Sequence, residues 1–96
     1  MDPGGEQADR AAAHERRGRE LARRMADNAD DIAVTLDRAA DFHEQVAHQP
    51  GYPLEQQAAG RAVVERRIAE QERSAARHYR HAIADQDADE ADQSAG

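Results

Sequence analysis

His78 and His81 are three residues apart and Asp85 is four further on, so one side of a helix could offer two imidazoles and a carboxylate to a divalent metal. Arg77 and Arg80 flank the pair. Two imidazoles set among guanidiniums make a poor cation site, and the same spacing describes a solvated helix face. The Glu-x-x-His element of di-iron helical bundles does not occur, because no histidine has a glutamate three residues before it. Glu44 and His48 form an ordinary pair one helical turn apart.

His43 is a different case, since it falls among apolar residues at helical spacing. An imidazole there could sense pH or face a partner helix. The plainer role, shared with Asn28 and Thr35, is a seam residue that hydrogen-bonds across a helix interface and fixes its register. Arg61, Glu65 and Glu72 border a second apolar stripe and suit an internal or intersubunit ion pair. No nucleophile with a matching base can be assembled from Ser74, Ser94 and Thr35, so the sequence offers no support for catalysis. The cluster Arg16, Arg17, Arg19, Arg23 and Arg24 could grip phosphates, but it lacks interleaved aromatics and is diluted by Glu15, Glu20 and Asp27.

The elements that must carry these groups are helices. Alanine, arginine, glutamate and glutamine dominate, and no alternating run of β-branched residues exists. At 100° per residue, Leu21, Met25, Ile32, Leu36, Ala39, Phe42 and Val46 share one arc, with Asp27, Asp30, Asp37, Asp41 and Glu44 pointing elsewhere. Leu54, Val64, Ile68, Ala75, Tyr79 and Ile83 make a second, narrower stripe. Between the two stripes lies His48-Gln49-Pro50-Gly51-Tyr52-Pro53, where Pro50-Gly51 suits the centre of a type II turn and Pro53 the first turn of a new helix. The chain should therefore reverse there. Residues 6 to 20 offer helix propensity without large apolar side chains, so fraying is expected around Gly18.

Charge supports the reversal. Segments 27–48 and 61–80 carry −5 and +3, so a hairpin turning near residue 51 sets acid beside base. It also brings Asp85, Asp87, Asp89, Glu90 and Asp92 alongside Arg10, Arg16 and Arg17, where an acidic tail could mask the basic stretch.

Composition limits what such a hairpin can be. Of 96 residues, 22 are alanine and 11 are Leu, Ile, Val or Phe, with no tryptophan, so no large core can form. No cysteine means no disulfide and no thiolate chemistry, which a reducing compartment such as the cytoplasm suits. Apolar runs of three or four residues make neither a membrane span nor a signal-peptide core. A net charge of −7 disfavours nucleic acid and anionic membranes as partners.

Asp37-Arg38-Ala39-Ala40-Asp41-Phe42-His43-Glu44, followed by Glu65-Arg66-Arg67-Ile68-Ala69-Glu70-Gln71-Glu72-Arg73, resembles small alanine- and arginine-rich helical proteins of actinobacteria over roughly residues 28 to 80. That resemblance implies no function. The outline of two helices and a central turn is similar to the WXG100 family of small secreted hairpins. Here, though, the family's Trp-x-Gly turn is replaced by Pro50-Gly51-Tyr52-Pro53, and Ile83 stands where its C-terminal acid would be. Neither secretion nor any site residue is carried over.

The sequence thus predicts an all-α antiparallel two-helix hairpin over 6–85 with its turn at 48–53, between a disordered N-terminus at 1–5 and a disordered acidic tail at 86–96. The expected function is a non-enzymatic interaction or adaptor module without cofactor. It would pair with itself, as a homodimeric four-helix bundle, or with another helical protein. The expected interface is Leu21, Met25, Ile32, Leu36, Phe42, His43, Val46, Val64, Ile68 and Tyr79. A metal-dependent bundle enzyme and a secreted hairpin of the WXG100 type are the alternatives.

Overall fold

A computed structural model describes residues 3–51 and 54–95. It contains two α-helices, α1 (Pro3–Ala47) and α2 (Glu55–Ala95), and no strand among the described residues. They lie against each other as a hairpin 77 × 23 × 13 Å in extent, two helices wide and one helix thick.

The reversal follows from Gly51. Its φ of 77° is the left-handed value that the third position of a type II turn demands, and glycine adopts it without a steric penalty. Before the turn, the backbone N–H of His48 donates to the Glu44 carbonyl at 3.1 Å and that of Gln49 to the Val46 carbonyl at 3.1 Å, satisfying carbonyls at the end of α1. The His48 ring also donates from Nδ1 to the Glu44 carbonyl at 2.6 Å. After the turn, α2 is opened by the Ala58 N–H donating to the Leu54 carbonyl at 2.9 Å. The expected role of Pro53 lies outside the described residues.

The two helices meet on alanine. Ala26, Ala33 and Ala40 recur every seven residues along α1, joined by Ala29; Ala62, Ala69, Ala76 and Ile83 do the same along α2, joined by Ala58. All are buried, and Ile83 is the only one larger than a methyl side chain. A seven-residue repeat on both helices keeps one narrow seam facing the partner along a shallow left-handed supercoil. Methyl-sized knobs let the axes approach closely. Ala26, Ala29 and Ala76 form one packed cluster, with Tyr79 lying against it.

Both helices extend further than composition alone implies. α1 begins at Pro3, a residue suited to the first helical position, and runs through Gly18 without a break. α2 continues to Ala95, through the acidic stretch from residue 86 that composition marks as a solvated tail. The continuation has a visible anchor: Arg19 bonds Glu90 and lies 3.6 Å from Asp87, and Arg23 lies 3.9 Å from Asp87. Arg10, Arg16 and Arg17, the partners expected for this segment, remain exposed, and Arg17 bonds His14 instead.

Candidate functional site

The alanine seam divides the hairpin into two unlike flanks. One flank is charged. Arg66 bonds Glu44 at 2.9 Å and Asp41 at 2.7 Å, Arg73 bonds Asp37, and Arg80 bonds Asp30 at 2.6 Å and Asp27 at 3.0 Å. Seven residues down α1 is seven residues up α2 at each step from Glu44 and Arg66 to Asp37 and Arg73 and then to Asp30 and Arg80. The ladder therefore has the same period as the seam. The Arg66 guanidinium, by hydrogen bonding, holds the Glu44 carboxyl below the usual carboxylate range. In return Glu44 and Asp41 raise Arg66, Asp37 raises Arg73, and Asp30 with Asp27 raises Arg80.

The other flank is apolar, and it holds the interface residues expected from sequence. Met25, Ile32, Ala39 and Val46 occur every seven residues on α1, beside Leu21, Leu36 and Phe42; Val64, Ile68, Ala75 and Tyr79 come from α2. Leu21 is 58% exposed, Met25 42%, Ile32 37%, Phe42 62%, Val64 52% and Ile68 39%. Leu36, Val46 and Tyr79 are half-buried. The hairpin thus closes on methyl groups and leaves its largest apolar side chains facing outward, since the stripe of large residues on α1 lies roughly a quarter-turn from the alanine stripe.

His43 sits where the seam meets this flank. Its Nδ1 lies 2.6 Å from Oε1 of Glu65, with both side chains half-buried, so it does bond across the helix interface. Its ring meets Phe42 edge-on at 5.6 Å. Asn28 and Thr35 do not join the seam: both are exposed, and the Thr35 hydroxyl donates to the Asp31 carbonyl of its own helix at 3.0 Å. Of the trio Arg61, Glu65 and Glu72, only Glu65 takes part in an ion pair among the described residues, and its partner is His43. His81 and Asp85 are exposed and 3.6 Å apart, while His78 packs its ring on Tyr79. No group of three histidine, aspartate or glutamate side chains among the described residues is arranged to hold a metal ion.

Comparison with known families, with curated proteins and with solved structures found no match. What the chain does has to be argued from its own surfaces. No helix among the described residues is long and apolar enough to cross a membrane.

The residues that sequence reasoning missed are the alanines of the seam. A methyl group contributes little when helix faces are compared by the apolar bulk they carry, so the comparison favours the face of Ile32 and Leu36. The signal is present all the same, in alanine at 26, 33 and 40 and at 62, 69 and 76.

Proposed function

We propose that this protein is a non-enzymatic interaction module whose apolar flank seats a second copy of the chain, giving a homodimeric four-helix bundle. One observation carries the proposal: the hairpin satisfies its internal seam with alanine and leaves Leu21, Met25, Ile32, Phe42, Val64 and Ile68 exposed on a single side. Scattered exposed apolar residues need no explanation, but a contiguous patch of this kind marks an interaction surface.

The dimensions suit a second hairpin. From Leu21 to Val46 the flank runs about 38 Å at 1.5 Å per residue, and two helices side by side are about 20 Å wide, giving about 750 Å². A standard interface buries about 800 Å² on each partner. A second hairpin presents an apolar flank of the same length and width, so two copies can cover most of each other's flank about a two-fold axis. The opposite flank offers no comparable surface, because its arginines are already committed to acids of the same chain. The proposal includes a cytoplasmic setting, since a chain without cysteine needs no oxidising compartment.

Sedimentation equilibrium over a range of concentrations tests this. The wild-type chain is expected to be a dimer at micromolar concentration. Ile32→Asp, which places an unpaired charge in the middle of the patch, should yield a helical monomer. Val34→Asp, on an exposed position away from the patch, should leave the dimer intact. A wild-type monomer, or equal damage from the two substitutions, would overturn the proposal.

A further inference from the structure

We propose that the cavity at the closed end of the hairpin binds an amphipathic monoanion, of which a medium-chain carboxylate is the simplest example. The cavity lies between the last turns of α1 and the first turns of α2 and has a volume of about 390 Å³. That falls within the range of about 300 to 1,000 Å³ typical of small-molecule sites.

Its lining decides the chemistry of the guest. Phe42, Val46, Leu54 and Ala58 supply apolar walls, and Arg61 and His43 supply the basic groups. Gln49 and Gln57 add neutral amides, and no carboxylate lines the cavity among the described residues. In a chain with 20 acidic residues and 13 basic ones, an acid-free cavity beside a guanidinium is a local reversal of the overall charge. The His43 ring is already held by Glu65 at 2.6 Å. Arg61 is in the opposite position, because it enters no ion pair among the described residues, whereas Arg66, Arg73 and Arg80 on the other flank are each bonded to an acid of α1. The α1 wall of the cavity nearest the turn is Val46, which offers nothing for a cation to pair with.

An exposed guanidinium at the edge of an apolar cavity is matched by a carboxylate on an alkyl chain. The head takes two parallel N–H donors from Arg61, a geometry that planar carboxylates fill well. The chain lies on Phe42, Val46 and Leu54, displacing water from these apolar side chains. Neither half alone suffices: the head without the chain gains only a solvent-exposed ion pair, and the chain without the head makes no use of the guanidinium.

The test titrates the full-length chain with octanoate while following backbone amide shifts. Saturable shifts confined to residues 42–61 are expected, with binding weakened about tenfold in Arg61→Gln, which keeps the polarity of the side chain but removes the charge and the paired donors. Acetate and octanol, carrying the head alone and the chain alone, should bind more weakly than octanoate. Equal binding by octanol, an unchanged affinity in Arg61→Gln, or shifts that spread along the flank to Leu21 and Met25 would each overturn the site. The same samples report association by sedimentation. Arg61→Gln leaves every apolar residue of the flank in place, so loss of octanoate binding with an unchanged association state separates this site from the dimer proposal.

Discussion

Arg23 on α1 and Asp87 on α2 face each other at 3.9 Å, and together with Arg19, which bonds Glu90 and lies 3.6 Å from Asp87, they reverse the polarity of the rungs nearer the turn. At the three rungs nearer the turn, α1 supplies the acid and α2 the arginine: Glu44 with Arg66, Asp37 with Arg73, Asp30 with Arg80. The reversal has a consequence for register. Because seam and ladder share a seven-residue period, sliding α2 by one repeat keeps alanine against alanine over most of the seam, so the polarity of the rungs bears on the register. With the reversal, a slide in one direction sets Asp30 against Asp87, and a slide in the other sets Arg23 against Arg80. Both slides create a like-charge rung, so the reversed end of the ladder favours the observed alignment.

Exchanging the two charges checks this. Arg23→Asp alone puts two acids together and should destabilise the hairpin by up to about 1 kcal/mol, as expected for an exposed pair. Adding Asp87→Arg should restore part of that stability in a double-mutant cycle, because the introduced arginine meets the introduced acid but also lies beside Arg19. The doubly exchanged chain, however, has lost the penalty against sliding. Paired spin labels, one on each helix, are expected to show a second distance in that variant and a single distance in the wild type. A single distance in both would show that the turn alone sets the register.

The alanine seam predicts an intolerance that the composition hides. Ala33→Leu inserts three heavy atoms between helices that approach on methyl groups, and overpacking of this kind costs about 1–3 kcal/mol. Ala84→Leu, at an exposed position of α2, should change stability by less than about 0.5 kcal/mol. Thermal unfolding followed by circular dichroism reads the difference. Equal stability of the two variants would mean that the helices are not held at the close approach described.

Much of this arrangement is legible in the amino-acid sequence, and its limits are physical. The turn is announced by Pro50-Gly51, the helices by their composition, and the pairing of segment 27–48 with 61–80 by opposite charge. Periodicity identifies Ile32, Leu36 and Ile68 as stripe residues but does not say whether the stripes meet within one hairpin or face something else. That choice depends on a competing surface of alanines whose individual burial is worth little and whose advantage is close approach, a collective property of two helices. Likewise Arg61 and Glu65 look alike as stripe-edge charges, yet among the described residues only Glu65 finds an ion-pair partner, because His43 stands opposite it and no described acid lines the cavity beside Arg61.

Acid should weaken the charged flank in a defined direction. The Glu44 carboxyl is held below its ordinary value of 4.5, chiefly by the hydrogen bond from Arg66. A carboxyl lowered in the folded state contributes stability above its unfolded value, and that contribution disappears as the pH falls through the folded one. Arg66 stays charged throughout, so no matching loss occurs on the alkaline side below the arginine range. Stability measured by urea unfolding should therefore fall from about pH 4.5 downwards. Glu44→Gln should lower the plateau at neutral pH and make the acid limb shallower. An acid limb of unchanged steepness in Glu44→Gln would show that the pair with Arg66 contributes nothing to the fold.

The acidic end of α2 should restrain the basic stretch of α1. Arg19 and Arg23 are occupied by Asp87 and Glu90, and the exposed carboxylates of Asp85, Asp89 and Asp92 surround that contact with negative charge. Truncation after Ala84 removes five acids and touches neither the apolar flank nor the alanine seam. It frees two arginines beside Arg16, Arg17 and Arg24, turning a neutralised surface into a cationic one. A polyanion such as heparin should then bind the truncated chain and not the full-length chain, with an affinity that drops steeply between about 50 and 200 mM salt as counterions compete. The restraint acts at short range, because the Debye length is about 8 Å at physiological ionic strength. Asp87→Asn with Glu90→Gln, which keeps the length of the helix, should reproduce part of the gain, since it frees the same two arginines but leaves three of the five acids in place. A gain on truncation without any gain in the double substitution would assign the effect to the bulk charge of the segment and not to its contacts with Arg19 and Arg23.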